Sequence, residues 1–213
     1  MRQLVYLFVC LSLCLVLSGC AGENFALIET NYGNIKVELY DSTPKHKENF
    51  IKLVREGYYD GLLFHRVMQN FMIQGGDPMS KDAAPGVPLG SGGPGYQIDA
   101  EIGAPHLRGA LAAARNNNPA KASSGSQFYI VTGQPQSEAT LKQYETMKGI
   151  KYNETHRSIY LAEGGRPDLD MEYSVFGRVV SGMEVVDAIS AVATNPANRP
   201  NEDVVIERVT MVR

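Results

Sequence analysis

The chain has 213 residues, of which 44% are hydrophobic, 20% charged and 8% aromatic. That composition excludes a wholly disordered, collagen-like or multi-span membrane protein, and the length suits one domain or at most two small ones. Lys and Arg number 20 against 23 Asp and Glu, so the net charge is −3 and there is no electrostatic footprint for nucleic acid.

The first predicted element is an address. Arg2 is followed by an almost unbroken apolar run, Leu4 to Leu17. Its fourteen residues are too few for a comfortable transmembrane helix, which needs about 17–25, and suit the apolar region of a signal peptide. The run ends in Leu17-Ser18-Gly19-Cys20, which resembles the lipobox of bacterial lipoproteins. The expected division is a signal peptide over 1–19, a lipidated Cys20 with a short tether over 20–24, and one domain over 25–213. Ala21 after Cys20 resembles lipoproteins sent to an outer membrane. Cys10 and Cys14 fall in the discarded run, so the mature chain is expected to hold no free thiol and no disulfide.

Phe25–Glu29 and Asn34–Tyr40 are strand-like runs around Asn31-Tyr32-Gly33 and predict a hairpin. Thr43-Pro44 predicts a helix start with Thr43 as N-cap; Phe50, Leu53 and Val54 supply its apolar face, and Gly57 ends it. Short apolar runs occupy 58–71, and the glycine- and proline-rich stretch 75–95 predicts irregular loop. Ser126–Thr132, Tyr173–Val180 and Val204–Val212 predict strands, and Met183, Val186 and Ile189 a second short helical face. Residues 134–167 differ in texture. Leu141, Tyr144 and Met147, then Ile159 and Tyr160, have helical spacing within a polar background and predict a helical hairpin inserted between two strands. Many short strands with two other helices predict a closed antiparallel barrel or a sandwich with helical caps.

Phe64-His65-Arg66-Val67-Met68-Gln69-Asn70-Phe71-Met72-Ile73-Gln74-Gly75-Gly76-Asp77 resembles the signature of the cyclophilins, a family of peptidyl-prolyl cis-trans isomerases. Gly109–Arg115, Ser124–Ile130 and Val175–Met183 are similar to three further family blocks, in the family's order. The resemblance covers 25–213 apart from the insert. It implies a mainly β fold, an eight-stranded antiparallel closed barrel capped by two α-helices, acting on proline-containing polypeptides without cofactor or metal. A monomer is the family default.

By resemblance Arg66 is the catalytic arginine. Phe71, Met72, Tyr129 and Leu169 are the proline pocket, with Tyr173 at its polar edge. Gln74 and Gln127 bond the substrate backbone and hold Arg66, Ala114 and Arg115 line the peptide groove through main-chain groups, and His65 stands at the groove wall. Strand alternation independently places Met72 with Gln74 on one face and Gln127 with Tyr129 on another, while Phe128 and Ile130 turn to the core. Tyr129 departs from the family's usual phenylalanine and adds a hydroxyl to the pocket. Asp168 falls where drug-sensitive members carry a pocket-edge tryptophan; this chain has no tryptophan. The expected function is a membrane-anchored folding catalyst for exported proteins, facing the periplasm or exterior. The alternative is a peptide-binding chaperone or scaffold with little isomerase activity. His46, His65, His106 and His156 lack metal-ligand spacing, and the glycines of 90–95 lack the Gly-Lys-Ser/Thr ending of a phosphate loop.

Overall fold

In the computed structural model, which describes residues 24–213, alternation becomes sheet. The expected signal peptide and Cys20 lie outside the described residues. β1 (Phe25–Thr30) and β2 (Gly33–Leu39) pair antiparallel, with Ala26 opposite Val37 and Ile28 opposite Ile35, all four buried. After helix α1 (Pro44–Arg55) come β3 (Leu62–Leu63), β4 (Arg66–Met68) and β5 (Met72–Gly75). The long loop then leads to β6 (Ala110–Ala113) and β7 (Phe128–Val131). Helices α2 (Glu138–Lys148) and α3 (Glu154–Ala162) precede β8 (Val175–Ser181), α4 (Met183–Ser190) and β9 (Val205–Val212). Among the described residues no helix is long and apolar enough to cross a membrane.

The sheet is antiparallel throughout and runs β3-β9-β1-β2-β8-β6-β7-β5-β4. It has nine strands rather than the expected eight, because the chain bends at Phe64 and His65 and splits one strand into β3 and β4. Those two are the sheet's outer edges, and only two residues separate them, so the sheet curls until its edges meet in one bent segment. The expected two capping helices are α1 and α4, and the expected helical hairpin is α2 and α3.

The inside of the curl is the main core. Ile28, Ile35, Val37, Ile73, Leu111, Ile130 and Ile206 face it with Phe50 of α1 and Val186 and Ile189 of α4. Phe50 packs against Tyr59 and Phe176 with tilted rings and against Phe128 edge-to-face, at centroid distances of 5.2, 5.5 and 5.9 Å. Burying such a side chain contributes about 1.5–3 kcal/mol.

Thr43 takes the N-cap position of α1 and Pro44 its first turn, as expected, but the side-chain cap is replaced. Thr43 makes no side-chain cap, and its hydroxyl donates to Tyr40 O instead. The orphan N–H groups of α1 are met from across the loop by Glu101, whose carboxylate accepts from Lys45 N at 3.1 Å and His46 N at 3.0 Å. A negative charge at a helix N-terminus is also favoured by the helix dipole. Glu101→Ala is therefore expected to lower stability by about 1–2 kcal/mol, more than Thr43→Ala; equal losses in urea titrations would contradict this.

Candidate active site

Strand register assembles the site. Arg66 on β4 stands opposite Gln74 on β5, Gln74 opposite Tyr129 on β7, and Tyr129 opposite Ala112 on β6. Directly opposed residues share a face, so these four form a row on the outside of the curl. The same face carries a second apolar cluster that includes Met72, Ala110, Ala112, Tyr129, Val131 and Val175. The sheet is thus apolar on both faces here, and the outer one is the floor of a cleft.

The cleft has a volume of about 440 Å³ and is lined by His65, Arg66, Phe71, Met72, Gln74, Ala114, Arg115, Tyr129, Leu169 and Tyr173. Gln127 is the exception among the predicted residues. It stands behind Gln74, its amide N–H groups donating to Gly90 O at 3.0 Å and Gly92 O at 2.7 Å. Because carbonyls claim its nitrogen, its oxygen must accept from Gln74 Nε2 (2.9 Å), which leaves Gln74 Oε1 to accept from Arg66 Nη1 at 3.1 Å. The orientation of Arg66 is therefore dictated from the loop. Asp77, fully buried, ties that loop down by accepting from Met79 N and Gly90 N. A Cβ on Gly92 would collide with the Asp77 carboxylate, so glycine is required there.

Arg66 is half-buried; its Nη2 lies 3.1 Å from Met68 Sδ and its guanidinium 5.7 Å from the centre of the Phe71 ring. Burial draws its pKa below the ordinary value, but a guanidinium stays charged at neutral pH. Among the described residues no carboxylate pairs with it, so N–H groups are left for a ligand. His65 is buried with neither ring nitrogen hydrogen-bonded, and burial pushes its pKa down. Arg115 contributes its side chain rather than main-chain groups alone. It lies 4.7 Å over the Tyr173 ring and bonds Glu172 through Nε to the backbone oxygen and Nη2 to the carboxylate. Ala114 N and O pair with Gln127 O and Ser124 N, so its contribution to the cleft rests on its small surface.

Sequence reasoning missed two parts. Val87, Pro88 and Leu89, with Asn195, Ala197 and Arg199, extend the cleft past His65. Arg199 is buried and donates to Ala83 O, Ala84 O and Val87 O, joining the two loops. Arg166, at the end of the segment 134–167, lies 4.0 Å over the Phe71 ring and is held by Asp168 at 2.8 and 2.7 Å. No local pattern marks either.

A Ser–His–Glu line also exists, with Ser123 Oγ 2.9 Å from His46 Nε2 and Glu101 Oε2 2.6 Å from His46 Nδ1. Ser123 and His46 are buried, and the void beside them is about 10 Å³, no more than one water's room. It is a capping network, not a nucleophile site. Among the described residues no group of three His, Cys, Asp or Glu is arranged to hold a metal.

Tyr59, Tyr129 and Tyr160 are buried, and desolvation pushes each hydroxyl well above its ordinary value near 10. In the unfolded chain tyrosines ionise near pH 10, while these three stay protonated when folded. Above about pH 10 the unfolded state therefore holds fewer protons, and the stability present below that pH falls by up to about 1.4 kcal/mol per pH unit for each tyrosine. Tyrosinate absorbance is expected to show a set of tyrosines that titrate only as the protein unfolds; smooth titration of all of them in the folded protein would contradict this.

The family profile "Cyclophilin type peptidyl-prolyl cis-trans isomerase/CLD" matches residues 25–211. A Staphylococcus aureus protein named "Putative peptidyl-prolyl cis-trans isomerase" is 34% identical over 189 residues, covering 88% of this chain and 91% of the relative. A Streptococcus pyogenes protein named "Putative bifunctional phosphatase/peptidyl-prolyl cis-trans isomerase" is 37% identical over 190 residues. That match covers 85% of this chain and only 37% of the streptococcal protein. Among solved structures, a Cryptosporidium parvum cyclophilin-type isomerase crystallised in the presence of the dipeptide Ala-Pro superposes with a TM-score of 0.63. It is 26% identical, and the match covers 89% of this chain and 99% of that one. With the profile spanning nearly all the described residues, the chain belongs to the cyclophilin-type peptidyl-prolyl cis-trans isomerases.

Proposed function

We propose that the cleft accelerates X-Pro bond rotation in exported polypeptides, with Arg66 stabilising the twisted amide. Rotation is slow because amide resonance sets a barrier of about 18–20 kcal/mol. No bond need be made or broken; the site has only to bind the twisted amide better than either planar form. When the amide twists, the prolyl nitrogen becomes pyramidal and regains a lone pair that a fixed cationic donor can meet. Phe71, Met72, Tyr129 and Leu169 take the pyrrolidine ring, and Gln74 holds the guanidinium over it. The observation that carries this reading is a guanidinium fixed by Gln74 and two thioethers beside an apolar floor, unpaired with any carboxylate among the described residues. The cleft's volume of about 440 Å³ leaves room for a dipeptide such as Ala-Pro, in whose presence the Cryptosporidium protein was crystallised.

Exchange NMR on a short X-Pro peptide tests it. Catalysed exchange by the wild type, lost in folded Arg66→Ala, is the expected result. Binding without acceleration would overturn it and leave the scaffold reading.

The apolar run and Leu17-Ser18-Gly19-Cys20 support export and lipidation at Cys20. Only Ala21 to Asn24 then separate the lipid from β1, a reach of at most about 14 Å, so the domain would sit against the headgroups of a bacterial membrane. Cys20→Ala is expected to release the protein to the soluble fraction; retention on salt-washed membranes would overturn the anchor.

A further inference from the structure

The Tyr129 hydroxyl does not enter the cleft. The ring forms the floor, and the hydroxyl passes behind it to His106 Nε2 at 3.0 Å, the two rings lying nearly parallel. His106 is fully buried. Its Nδ1 (2.9 Å) and its backbone N–H (2.7 Å) both face Asp170 Oδ1. A carboxylate oxygen only accepts, so Nδ1 carries the hydrogen; in the neutral ring Nε2 is then the acceptor and the Tyr129 hydroxyl must donate. The other oxygen, Asp170 Oδ2, accepts from Tyr152 at 2.6 Å and Tyr160 at 2.7 Å. Both tyrosines belong to the α2–α3 hairpin, where with Leu141 they form its own small core.

Two further ties run from the same segment to the cleft. Lys148, ending α2, donates to Asp168 O and Asp170 O, the carbonyls on either side of cleft-lining Leu169. The hairpin's exit bends through Gly165 (φ +147°), where a Cβ would collide with His106 O and the Tyr160 ring. Yet no residue of α2 or α3 lines the cleft. Its ties to the cleft instead run behind the floor, through Asp170, and to the backbone on either side of Leu169.

We propose that the α2–α3 hairpin is a buttress for the proline pocket, with Tyr152, Tyr160, Asp170 and His106 as positioning residues that fix the Tyr129 ring. This rests on the isomerase reading for its kinetic consequence. A floor that the proline ring meets in ground and transition states alike governs uniform binding, so loosening it raises KM and leaves kcat nearly unchanged.

Tyr152→Phe/Tyr160→Phe removes both donors to Asp170 and keeps both rings. For a short X-Pro peptide its KM is expected to rise ~3–10-fold with kcat within ~2-fold, as expected for loss of one to two hydrogen bonds. The 13Cζ resonance of Tyr129 and the 15N resonances of His106 are expected to shift. In a Tyr129→Phe background, where the line to the floor is already cut, the same pair is expected to change KM no further. An unchanged KM, an unmoved Tyr129 resonance, or the same KM change in both backgrounds would overturn the proposal. Should the double variant not fold, Tyr152→Phe alone is read by the same two measurements. If the wild type shows no turnover, the isomerase reading has failed, and the Tyr129 resonance still decides the buttress.

Discussion

Arg66→Ala is expected to lower kcat/KM on a short X-Pro peptide by about 10²–10³-fold, the loss typical of removing one fixed donor to developing charge in a low-dielectric site. The fold is expected to survive. Arg66 has no carboxylate partner among the described residues, is half-buried, and gives up its contacts to Gln74, two thioethers and the Phe71 ring. A Tm within about 3 °C of wild type is therefore expected. Arg66→Lys keeps the charge without the planar fork and should fall between the two. The pH profile adds a second check. Arg66 stays cationic, and the pKa of His65 is pushed by burial below its ordinary value, so neither changes charge between about pH 7 and 9. A flat rate across that range fits a mechanism without proton transfer. A bell-shaped profile there, or unchanged turnover in folded Arg66→Ala, would remove the assignment.

Legibility divided along the line between local pattern and distant partner. β1, β2 and β9 read directly because one face is core and the other is not. β6 did not. Ala110-Leu111-Ala112-Ala113 is made mostly of the best helix-forming residue, and it is a strand because β7 and β8 hold it on both sides. Ala112 stands opposite Tyr129 across the ladder and is fully buried in the apolar cluster that holds that ring, where a larger side chain would have no room. Alternation brought Met72 with Gln74 and Gln127 with Tyr129 onto shared faces, but it carried no sign that Gln127 sits behind Gln74. That depends on the carbonyls of Gly90 and Gly92, 37 and 35 residues away. The acceptor for the first N–H groups of α1 was hidden for the same reason, since Glu101 lies 55 residues from His46. His106 looked inert as an isolated histidine; its partner Asp170 is 64 residues downstream. The hydroxyl of Tyr129 was legible as a departure from the family, but its direction was not.

Asp170→Ala is expected to be among the most destabilising single substitutions near the cleft. The carboxylate is almost wholly buried and accepts four hydrogen bonds, two at each oxygen. Four acceptor sites are what a carboxylate offers, so it is saturated. Alanine removes all four at once and leaves the Tyr152 and Tyr160 hydroxyls and the His106 Nδ1–H without a partner in a space closed to water. Each buried donor so stranded costs about 1–3 kcal/mol, and relaxation recovers part of the sum. A net loss of about 3–5 kcal/mol is expected, ~10 °C or more in Tm for a chain of this length. Asp170→Asn separates charge from hydrogen bonding. Its oxygen still accepts from His106, and its amide can donate to the two tyrosines if their hydroxyls turn, so a loss of only about 1–2 kcal/mol is expected. If asparagine proves as costly as alanine, the negative charge itself is required. If alanine costs less than about 1 kcal/mol, the four bonds do not hold the hairpin to the barrel, and the hairpin must be retained by the Leu141, Tyr152 and Tyr160 packing alone.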